Sequence, residues 1–209
     1  MKKRKSKVRQ VVRVRTAFIE RETTETQISL ELNIDGQGKF SGSSGIGFFD
    51  HMLTLFCRHG LFDLTLQMTG DLNVDGHHSM EDLGLVLGQA FTQALGEKKG
   101  ITRYGTCFLP MDEALVMVSL DLSGRPYLVY NVSIPVERVG EFDVELVPEF
   151  LRAFAVCGGV TLHVLKISGA NGHHIIEALF KGLARALRQA VSLDNRETGI
   201  PSSKGILSF

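Results

Sequence analysis

One segment of about twenty residues occurs twice in this chain. Gly76 to Leu95 reads GHHSMEDLGLVLGQAFTQAL, and Gly172 to Val191 reads GHHIIEALFKGLARALRQAV. The spacing between the copies is 96 residues (173 − 77 = 96), and it matches both histidines and the glutamate of each copy. Apolar residues recur at helical spacing in both, so each copy is predicted to be an amphipathic helix with its histidines in the first turn. The chain is therefore expected to consist of two related halves.

The repeat extends upstream of these helices. Each half is predicted to place a strand of alternating apolar and polar residues, a shorter helix and a second strand before its His-His helix. In the first half these are Ile28 to Ile34, Phe48 to Gly60 and a run from Leu61; in the second they are Val116 to Leu122, Leu146 to Gly158 and a run from Val160.

This order of elements predicts an α+β fold. Each half is expected to form a mostly antiparallel sheet with two helices on one face, and the helices of both halves are expected to pack together. We place the repeats at about 9–97 and 106–195 within a single domain of residues 1–209. Residues 1–8 are predicted to be a basic, frayed terminus and residues 196–209 a C-terminal tail.

The composition argues against several classes of protein. The 209 residues include 23 basic and 23 acidic side chains, so net charge indicates neither a nucleic-acid nor a membrane partner. No apolar run approaches the length of a membrane span, and the basic start lacks the apolar core of a secretory signal. The cysteines, Cys57, Cys107 and Cys157, are few and widely spaced. This spacing favours a reducing, cytoplasmic compartment over a disulfide framework or a cysteine zinc site.

The repeated histidines and glutamate have the spacing of metal ligands. Residues four apart share one face of a helix, so His77 and Glu81 are predicted to bind one cation together. Adjacent residues diverge by about 100°, so His78 points toward a different ion. The second copy offers the same arrangement with His173, Glu177 and His174. A single His-His pair is more often a surface feature than a ligand, but two copies that keep all three residues indicate metal binding.

The repeat also nominates the remaining ligands. A spacing of 98 residues places His51 opposite Glu149. Exchange between the halves predicts one ion on His51, His77, Glu81 and His174, and the other on Glu149, His173, Glu177 and His78. Nitrogen and oxygen donors without thiolate suit Mn²⁺, Fe²⁺ or Zn²⁺. Whether the donors to one ion come from one chain or two stays open. His59 and His163 have no histidine counterpart and are predicted to be ordinary surface or core residues.

Four segments of the chain resemble the signatures of one enzyme family. They are GFFDHML from Gly47, DGHHSMEDLG from Asp75, GANGHHIIEALFKGLARALRQA from Gly169 and PSSKGIL from Pro201. These segments are similar to those of imidazoleglycerol-phosphate dehydratase, a hydro-lyase of histidine biosynthesis, and the resemblance extends from Arg21 to the C-terminus. It implies a duplicated fold like domain 2 of ribosomal protein S5 and a cubic homo-oligomer of 24 subunits with active sites at subunit contacts.

The resemblance implies loss of water from D-erythro-imidazole-glycerol phosphate to give imidazole-acetol phosphate. Two Mn²⁺ ions per subunit are implied on the eight residues named above, with Glu149 standing where some members of the family have histidine. Since two cations on the ring nitrogens favour an imidazolate, we expect the metal pair to stabilise an imidazolate-type intermediate. His77, Glu81, His173 and Glu177 would then serve catalysis as metal ligands.

The resemblance also assigns substrate-binding residues. Arg103 and Arg125 are implied to bind the phosphate, together with Ser202 or Ser203 and Lys204 in the tail. Guanidinium and ammonium groups suit a phosphate dianion. Glu25 is implied to contact the substrate near the reacting carbons and is our candidate acid/base, with a metal-bound water as the alternative. His51 is expected at the substrate as well.

Two other functions use the same features. A two-metal hydrolase would need similar ligands but would cleave a phosphoester or amide bond. A metal-stabilised RNA-binding domain would need a positive face and stacking aromatics, whereas the net charge is zero and aromatic residues make up 8% of the chain.

Overall fold

Two halves follow one another along the chain with the same order of elements, except that the second adds a separate pair of short strands, β8 and β9. The structure is a computed structural model that describes residues 14–207, so the basic segment predicted at residues 1–8 lies outside it. The first half contains β1 (Thr16–Glu22), β2 (Thr26–Asn33), β3 (Phe40–Ser43), α1 (Gly47–Gly60), β4 (Asp63–Gly70) and α2 (His77–Leu95). The second contains β5 (Tyr104–Met111), β6 (Ala114–Asp121), β7 (Tyr127–Asn131), β8 (Arg138–Val139), β9 (Phe142–Asp143), α3 (Leu146–Gly158), β10 (Thr161–Ser168) and α4 (Gly172–Val191).

Each half forms a four-stranded sheet of the same topology. The strand orders are β1-β2-β4-β3 and β5-β6-β10-β7. Neighbouring strands are antiparallel except that β3 runs parallel to β4 and β7 parallel to β10. The hairpins β1–β2 and β5–β6 have the same register. Ala17 pairs with Leu32 in the first, and the residues 88 positions later, Gly105 and Leu120, pair in the second (105 − 17 = 88). The predicted α+β repeat of mostly antiparallel sheets is confirmed.

Alternation along the central strands gives each sheet one apolar face. On β2 the side chains of Ile28, Leu30 and Leu32 are buried, and the residues between them are exposed or half-buried. Strand β6 alternates in the same way. This is the period of two that a half-buried strand requires. Helix α2 covers β1 and β2, while α4 covers β5 and β6.

The shorter helix of each half packs on the longer helix of the other half. Helix α1 of the first half packs on α4, and α3 of the second half packs on α2. The α2–α3 approach is close because Gly84 and Gly88 face α3, where a Cβ atom would lie 2.5 Å from the backbone oxygens of Phe150 and Phe154 respectively. Helix α1 therefore packs mainly on α4 of the second half, although Phe56 also reaches Phe91 of α2.

Phenylalanine rings join all four helices in one core. The ring of Phe49 on α1 lies 5.0 Å from Phe150 on α3 and 5.5 Å from Phe180 on α4. Phe91 on α2 lies 5.7 Å from Phe154 on α3. Such contacts bury large apolar areas and favour edge-to-face geometry. The two halves therefore share one hydrophobic core.

Within the described part of the chain, no helix is both long enough and apolar enough to span a membrane.

Candidate metal centre and active site

Three of the predicted ligands meet between α1 and α4. The ring nitrogen Nε2 of His173 lies 3.0 Å from Oε2 of Glu177, and Nε2 of His51 lies 3.4 Å from the same oxygen. The donor atoms of the three residues all lie within 4.8 Å of one another. We call His51, His173 and Glu177 the metal triad. It forms because His173 and Glu177 stand one turn apart on α4 and α1 packs against that face.

The triad combines a buried carboxylate with two accessible imidazoles. The side chain of Glu177 is 9% exposed, whereas that of His51 is 46% exposed and that of His173 is 42% exposed. Lys181, one turn along α4, donates to the other oxygen of Glu177. Burial alone would raise the pKa of Glu177, but hydrogen bonds from Lys181 and the histidines lower it. The carboxylate is thus held ionised, as a cation ligand must be.

The donor set of the triad fits a divalent transition-metal ion. Two imidazole nitrogens and one carboxylate oxygen, without thiolate, suit Mn²⁺, Fe²⁺ or Zn²⁺. The two imidazoles face a common oxygen at 3.0 and 3.4 Å, so small side-chain movements bring all three donors around one ion. The triad leaves further coordination positions for another ligand or a substrate.

Within one chain the ligands group differently from the sets that the repeat predicted. His51 lies with His173 and Glu177, whereas the repeat predicted it with His77 and Glu81. This neighbourhood arises because α1 packs on α4. Since donors to one ion can come from two chains, the predicted grouping across chains stays a prediction. Among residues 14–207, the triad is the one group of at least three histidine, cysteine, aspartate or glutamate side chains whose possible ligand atoms lie within 4.8 Å of one another.

The other predicted ligands of the first His-His helix lie apart from the triad. Glu149 lies on α3, which packs on the helix that carries His77 and Glu81, α2. By the repeat, this pair of helices corresponds to α1 and α4, which carry the triad. His77 and Glu81 are exposed, and Glu149 accepts a hydrogen bond from Arg152 in place of a histidine. The role of Glu149 as a ligand stays a prediction.

The second histidine of each motif contacts acidic side chains. His78 Nδ1 lies 3.0 Å from Oδ2 of Asp71, and its Nε2 lies 3.6 Å from Oε1 of Glu25. Glu25 stands in the β1–β2 turn, so the hairpin brings it beside the His-His helix. The hydrogen bond with Asp71 is the largest of the effects that raise the pKa of His78.

His174 has equivalent surroundings in the second half. Its Nδ1 lies 2.7 Å from Oε2 of Glu113, and its Nε2 lies 3.7 Å from Oδ2 of Asp112. The hydrogen bond with Glu113 is the largest cause of the raised pKa of His174. The same bond, together with backbone donors, holds the pKa of Glu113 at about 2.

The predicted phosphate-binding residues gather at the start of the second half. Arg103 donates from Nε and Nη2 to the two oxygens of Asp121 at 2.7 and 3.0 Å, and from Nη1 to the carbonyl of Pro201 at 2.8 Å. Arg125 Nη2 lies 3.8 Å from Oδ2 of Asp121. Arg103 therefore fastens the tail to β6 and still retains unused N–H donors.

The tail places its polar residues beside this arginine pair. After Pro201, the amide of Lys204 donates to the hydroxyl of Ser202 at 3.2 Å, which forms a tight turn. Ser203 and the side chain of Lys204 are exposed. We call Arg103, Arg125 and the turn 202–204 the arginine cluster.

The metal triad and the arginine cluster lie at opposite ends of α4. The triad occupies the first turns of this helix, whereas the amide of Arg103 bonds the carbonyl of Ala190 near its end. Thirteen residues separate Glu177 from Ala190 (190 − 177 = 13), and at 1.5 Å per residue these levels are about 20 Å apart. One small substrate cannot contact both groups within a single chain.

Three residues that contact the predicted ligands were not predicted from the sequence. Lys181 could have been found from its spacing of four residues from Glu177. Asp71 lies in a loop whose folding the sequence does not predict. No local pattern marks Glu113 as a residue that contacts a motif histidine. The hairpin register shows that it stands 88 residues after Glu25, at the equivalent position of the second half.

Comparison with known proteins decides the family. The family model of imidazoleglycerol-phosphate dehydratase matches residues 44–187. The imidazoleglycerol-phosphate dehydratase of Moorella thermoacetica is 59% identical over 194 residues, which covers 93% of this chain and 99% of that protein. That of Methylorubrum extorquens is 56% identical over 195 residues, covering 93% of this chain and 100% of the relative. The chain belongs to this family.

Solved structures of imidazoleglycerol-phosphate dehydratases share the fold. The Staphylococcus aureus enzyme superimposes with a TM-score of 0.78 at 41% identity, covering 86% of this chain and 99% of that one. The Pyrococcus furiosus enzyme, solved in complex with (S)-C348, gives 0.77 at 38% identity, covering 90% of this chain and 100% of that one. The chain is accordingly a hydro-lyase of histidine biosynthesis, and the resemblance drawn from its motifs is confirmed.

Proposed function

We propose that this enzyme removes water from D-erythro-imidazole-glycerol phosphate, giving imidazole-acetol phosphate, with two Mn²⁺ ions per subunit. The metal triad carries the metal part of the proposal, because its two imidazoles and ionised carboxylate converge on one position. Family membership supports the substrate and the reaction. A cytoplasmic location stays a prediction from the cysteine pattern.

The bound ions would supply Lewis-acid activation of the imidazole ring and fix its position. The first ion would be held by His51, His173 and Glu177, which already stand together. The second would be held by His77, Glu81 and Glu149. The helix that carries Glu149, α3, packs on the helix that carries His77 and Glu81, α2, just as α1 packs on α4 at the metal triad. His78 and His174 supply the remaining imidazoles. This assignment uses the eight predicted ligands but replaces their predicted grouping.

Glu25 is the residue that we propose for proton transfer. Its side chain is 48% exposed and its Oε1 lies 3.6 Å from His78, so it stands beside a metal ligand and is open to a substrate. The turn that carries it is fixed: the Glu25 amide donates to Thr23 Oγ1, and its carbonyl accepts from the amide of Asp71. A positioned carboxylate of this kind can accept the carbon-bound proton or assist departure of the hydroxyl.

The arginine cluster would bind the phosphate. The carboxylate of Asp121 orients Arg103 with a two-pronged ion pair, so its free N–H groups are presented in a fixed direction. Arg125 and Lys204 are exposed and add positive charge beside it. Such a clamp contributes orientation and binding energy remote from the reacting carbons.

An active site shared between subunits follows from the proposal. The triad and the arginine cluster are about 20 Å apart along α4, much farther than one imidazole ring, a three-carbon chain and a phosphate extend. Both groups can act on one molecule if they come from different chains. This supports a homo-oligomer with composite sites, for which we propose the 24-subunit cubic assembly implied by the family resemblance.

The test is an assay of the metal-stripped enzyme on imidazoleglycerol phosphate with and without added Mn²⁺. We expect manganese-dependent formation of imidazole-acetol phosphate and two bound ions per chain. Release of inorganic phosphate instead would favour the two-metal hydrolase. No turnover by an oligomer that binds two ions would overturn the proposed substrate and leave the metal centre in place.

A further inference from the structure

Both second histidines of the repeated motif contact a carboxylate through the same ring nitrogen. Asp71 meets Nδ1 of His78 at 3.0 Å, and Glu113 meets Nδ1 of His174 at 2.7 Å. An ionised carboxylate only accepts hydrogen bonds, so Nδ1 must carry the ring proton in both cases. In the neutral ring Nε2 then has a free lone pair, which is the form that binds a metal ion.

The two carboxylates come from unrelated positions of the repeat. Asp71 follows β4 directly, and the equivalent place in the second half lies near Gly169, which has no side chain. Glu113 stands in the β5–β6 turn at the position that corresponds to Glu25. The same contact is thus made twice from different sites, which simple duplication of the sequence does not explain.

Glu113 is fixed by its own hydrogen bonds. Its Oε1 accepts from the amides of Ala170 at 3.2 Å and Asn171 at 2.8 Å, just before α4 begins. Its carbonyl accepts from Ser168 Oγ at 3.0 Å. With Oε1 engaged by two backbone donors, Oε2 is directed at His174. The carboxylate therefore sets both the rotation of the ring and the location of its proton.

We propose that Asp71 and Glu113 are positioning residues that hold His78 and His174 in the tautomer with Nε2 free for a metal ion. This rests on the proposed metal function. Neither residue touches the ion; each acts through its histidine, as carboxylates behind metal-bound histidines commonly do.

The geometry makes opposite predictions for amide variants at the two positions. In Glu113→Gln the amide oxygen stays with the two backbone donors, so its NH₂ group faces Nδ1 and forces the ring proton onto Nε2. Glu113→Ala leaves the ring free to adopt either tautomer. Glu113→Gln should therefore be worse than Glu113→Ala, although both remove the same charge.

At Asp71 the order is reversed. Oδ1 of Asp71 is buried and has no hydrogen-bond partner among residues 14–207. In Asp71→Asn the amide nitrogen can occupy that place while the oxygen still accepts from Nδ1 of His78. Asp71→Ala removes the acceptor altogether and should be the more damaging change.

The experiment titrates each metal-stripped variant with Mn²⁺. Electron paramagnetic resonance measures the concentration of free Mn²⁺ at each addition. Glu113→Gln should bind one of the two ions about 10- to 100-fold more weakly than the wild type, with the other ion unaffected. Asp75→Asn is the matched control, because Asp75 lies in the same loop as Asp71 but accepts from the backbone amide of His77 at 2.7 Å. It should bind Mn²⁺ within about threefold of the wild type, since no ring nitrogen is involved.

Equal losses for the amide and alanine variants at both positions would show a charge effect and overturn the inference. Unchanged binding in Glu113→Gln and Asp71→Ala would do the same. Circular dichroism and oligomer size identify a variant that fails to fold, in which case the pair of variants at the other position decides. A wild-type protein that binds no Mn²⁺ would contradict the proposed function itself and the inference with it.

Discussion

At the scale of single residues, Glu177 shows how one carboxylate organises the metal triad. One of its oxygens meets the two imidazoles of His51 and His173, and the other accepts from Lys181. A buried carboxylate requires such partners, because an unpaired charge in the interior is costly. A cation between the imidazoles would face Oε2, while Lys181 keeps the opposite oxygen satisfied.

Replacing His51 by alanine should remove metal from the triad. We expect at least about tenfold weaker binding of one Mn²⁺ ion and a large loss of turnover, because one of three converging donors is gone. Metal content by mass spectrometry and the dehydration assay measure both effects.

His59 provides a matched control on the same helix. It lies in the last turn of α1, half-buried, and burial together with the nearby Lys181 and Arg185 lowers its pKa. His59→Ala should retain both ions. Full metal content and activity in His51→Ala, or loss of metal in His59→Ala alone, would contradict the assignment of the triad.

Asp63 gives a prediction for how stability depends on pH. Burial would raise the pKa of Asp63, but donation from the backbone amides of Gln37, Lys39 and Gly38 outweighs it and lowers the pKa below its usual 3.8. The folded state is therefore stabilised by the ionised carboxylate above about pH 4, and this stabilisation is lost as the pH falls through the lowered value.

Asp63→Asn should accordingly be less stable than the wild type at pH 7, by about 1 kcal/mol, because hydrogen bonds to a charged acceptor are the stronger ones. The difference should shrink as the pH is lowered below 4. Urea unfolding at several pH values measures it, with Glu31→Gln on the exposed face of β2 as the control. A difference independent of pH would show that ionisation of Asp63 does not contribute.

At the scale of elements, the α2–α3 contact depends on two glycines. A Cβ atom on Gly88 would lie 2.5 Å from the oxygen of Phe154 and 2.7 Å from the nitrogen of Gly158, both backbone atoms. Backbone cannot rotate away as a side chain can, so the helices would have to separate. In an exposed helix the same change to alanine would be stabilising.

Gly88→Ala should therefore destabilise the protein by about 1–3 kcal/mol, the usual cost of overpacking. Thermal unfolding should show a lower melting temperature. Gly47→Ala is the control at the start of α1, since a Cβ atom there would meet nothing within 4 Å. A melting temperature of Gly88→Ala equal to that of Gly47→Ala would contradict the close packing of α2 on α3.

At the scale of the whole molecule, the two halves share one core, yet the proposed metal-binding and phosphate-binding groups lie apart. The packing of α1 on α4 and of α3 on α2 joins the halves, through phenylalanine contacts such as Phe49 with Phe180. The same arrangement leaves the arginine cluster at the far end of α4 from the metal triad. Family membership decides for the hydro-lyase over the hydrolase and the RNA-binding domain.

Complementation between inactive variants should reveal composite sites. His173→Ala lacks a proposed metal ligand and Arg103→Ala lacks a proposed phosphate contact, and each alone should have little activity. After joint dissociation and reassembly, about a quarter of the sites should combine an intact triad with an intact arginine cluster from another chain. The dehydration assay measures the recovery. No recovery in mixed oligomers of the correct size would show that one chain supplies both groups.

The repeat and the helices could be predicted from local sequence patterns. Apolar periodicity placed α3 at Leu146–Gly158 and α4 at Gly172–Val191, as the structure has them. The four-residue spacing of His173 and Glu177 put both on one helical face, because helix geometry depends on local sequence alone. Their hydrogen bond, at 3.0 Å, confirms this local inference.

Which helix each motif faces depends on the packing of the whole chain. Periodicity shows that a face is apolar but not which partner covers it, so the contact of α1 with α4, which brings His51 to Glu177, could not be predicted from the sequence. The contacts of Glu113 and Asp71 with the motif histidines depend on where a hairpin turn and a loop come to lie. Such contacts join residues as far apart as 61 positions, and no local pattern encodes them. They are determined by the packing of the whole chain around one core.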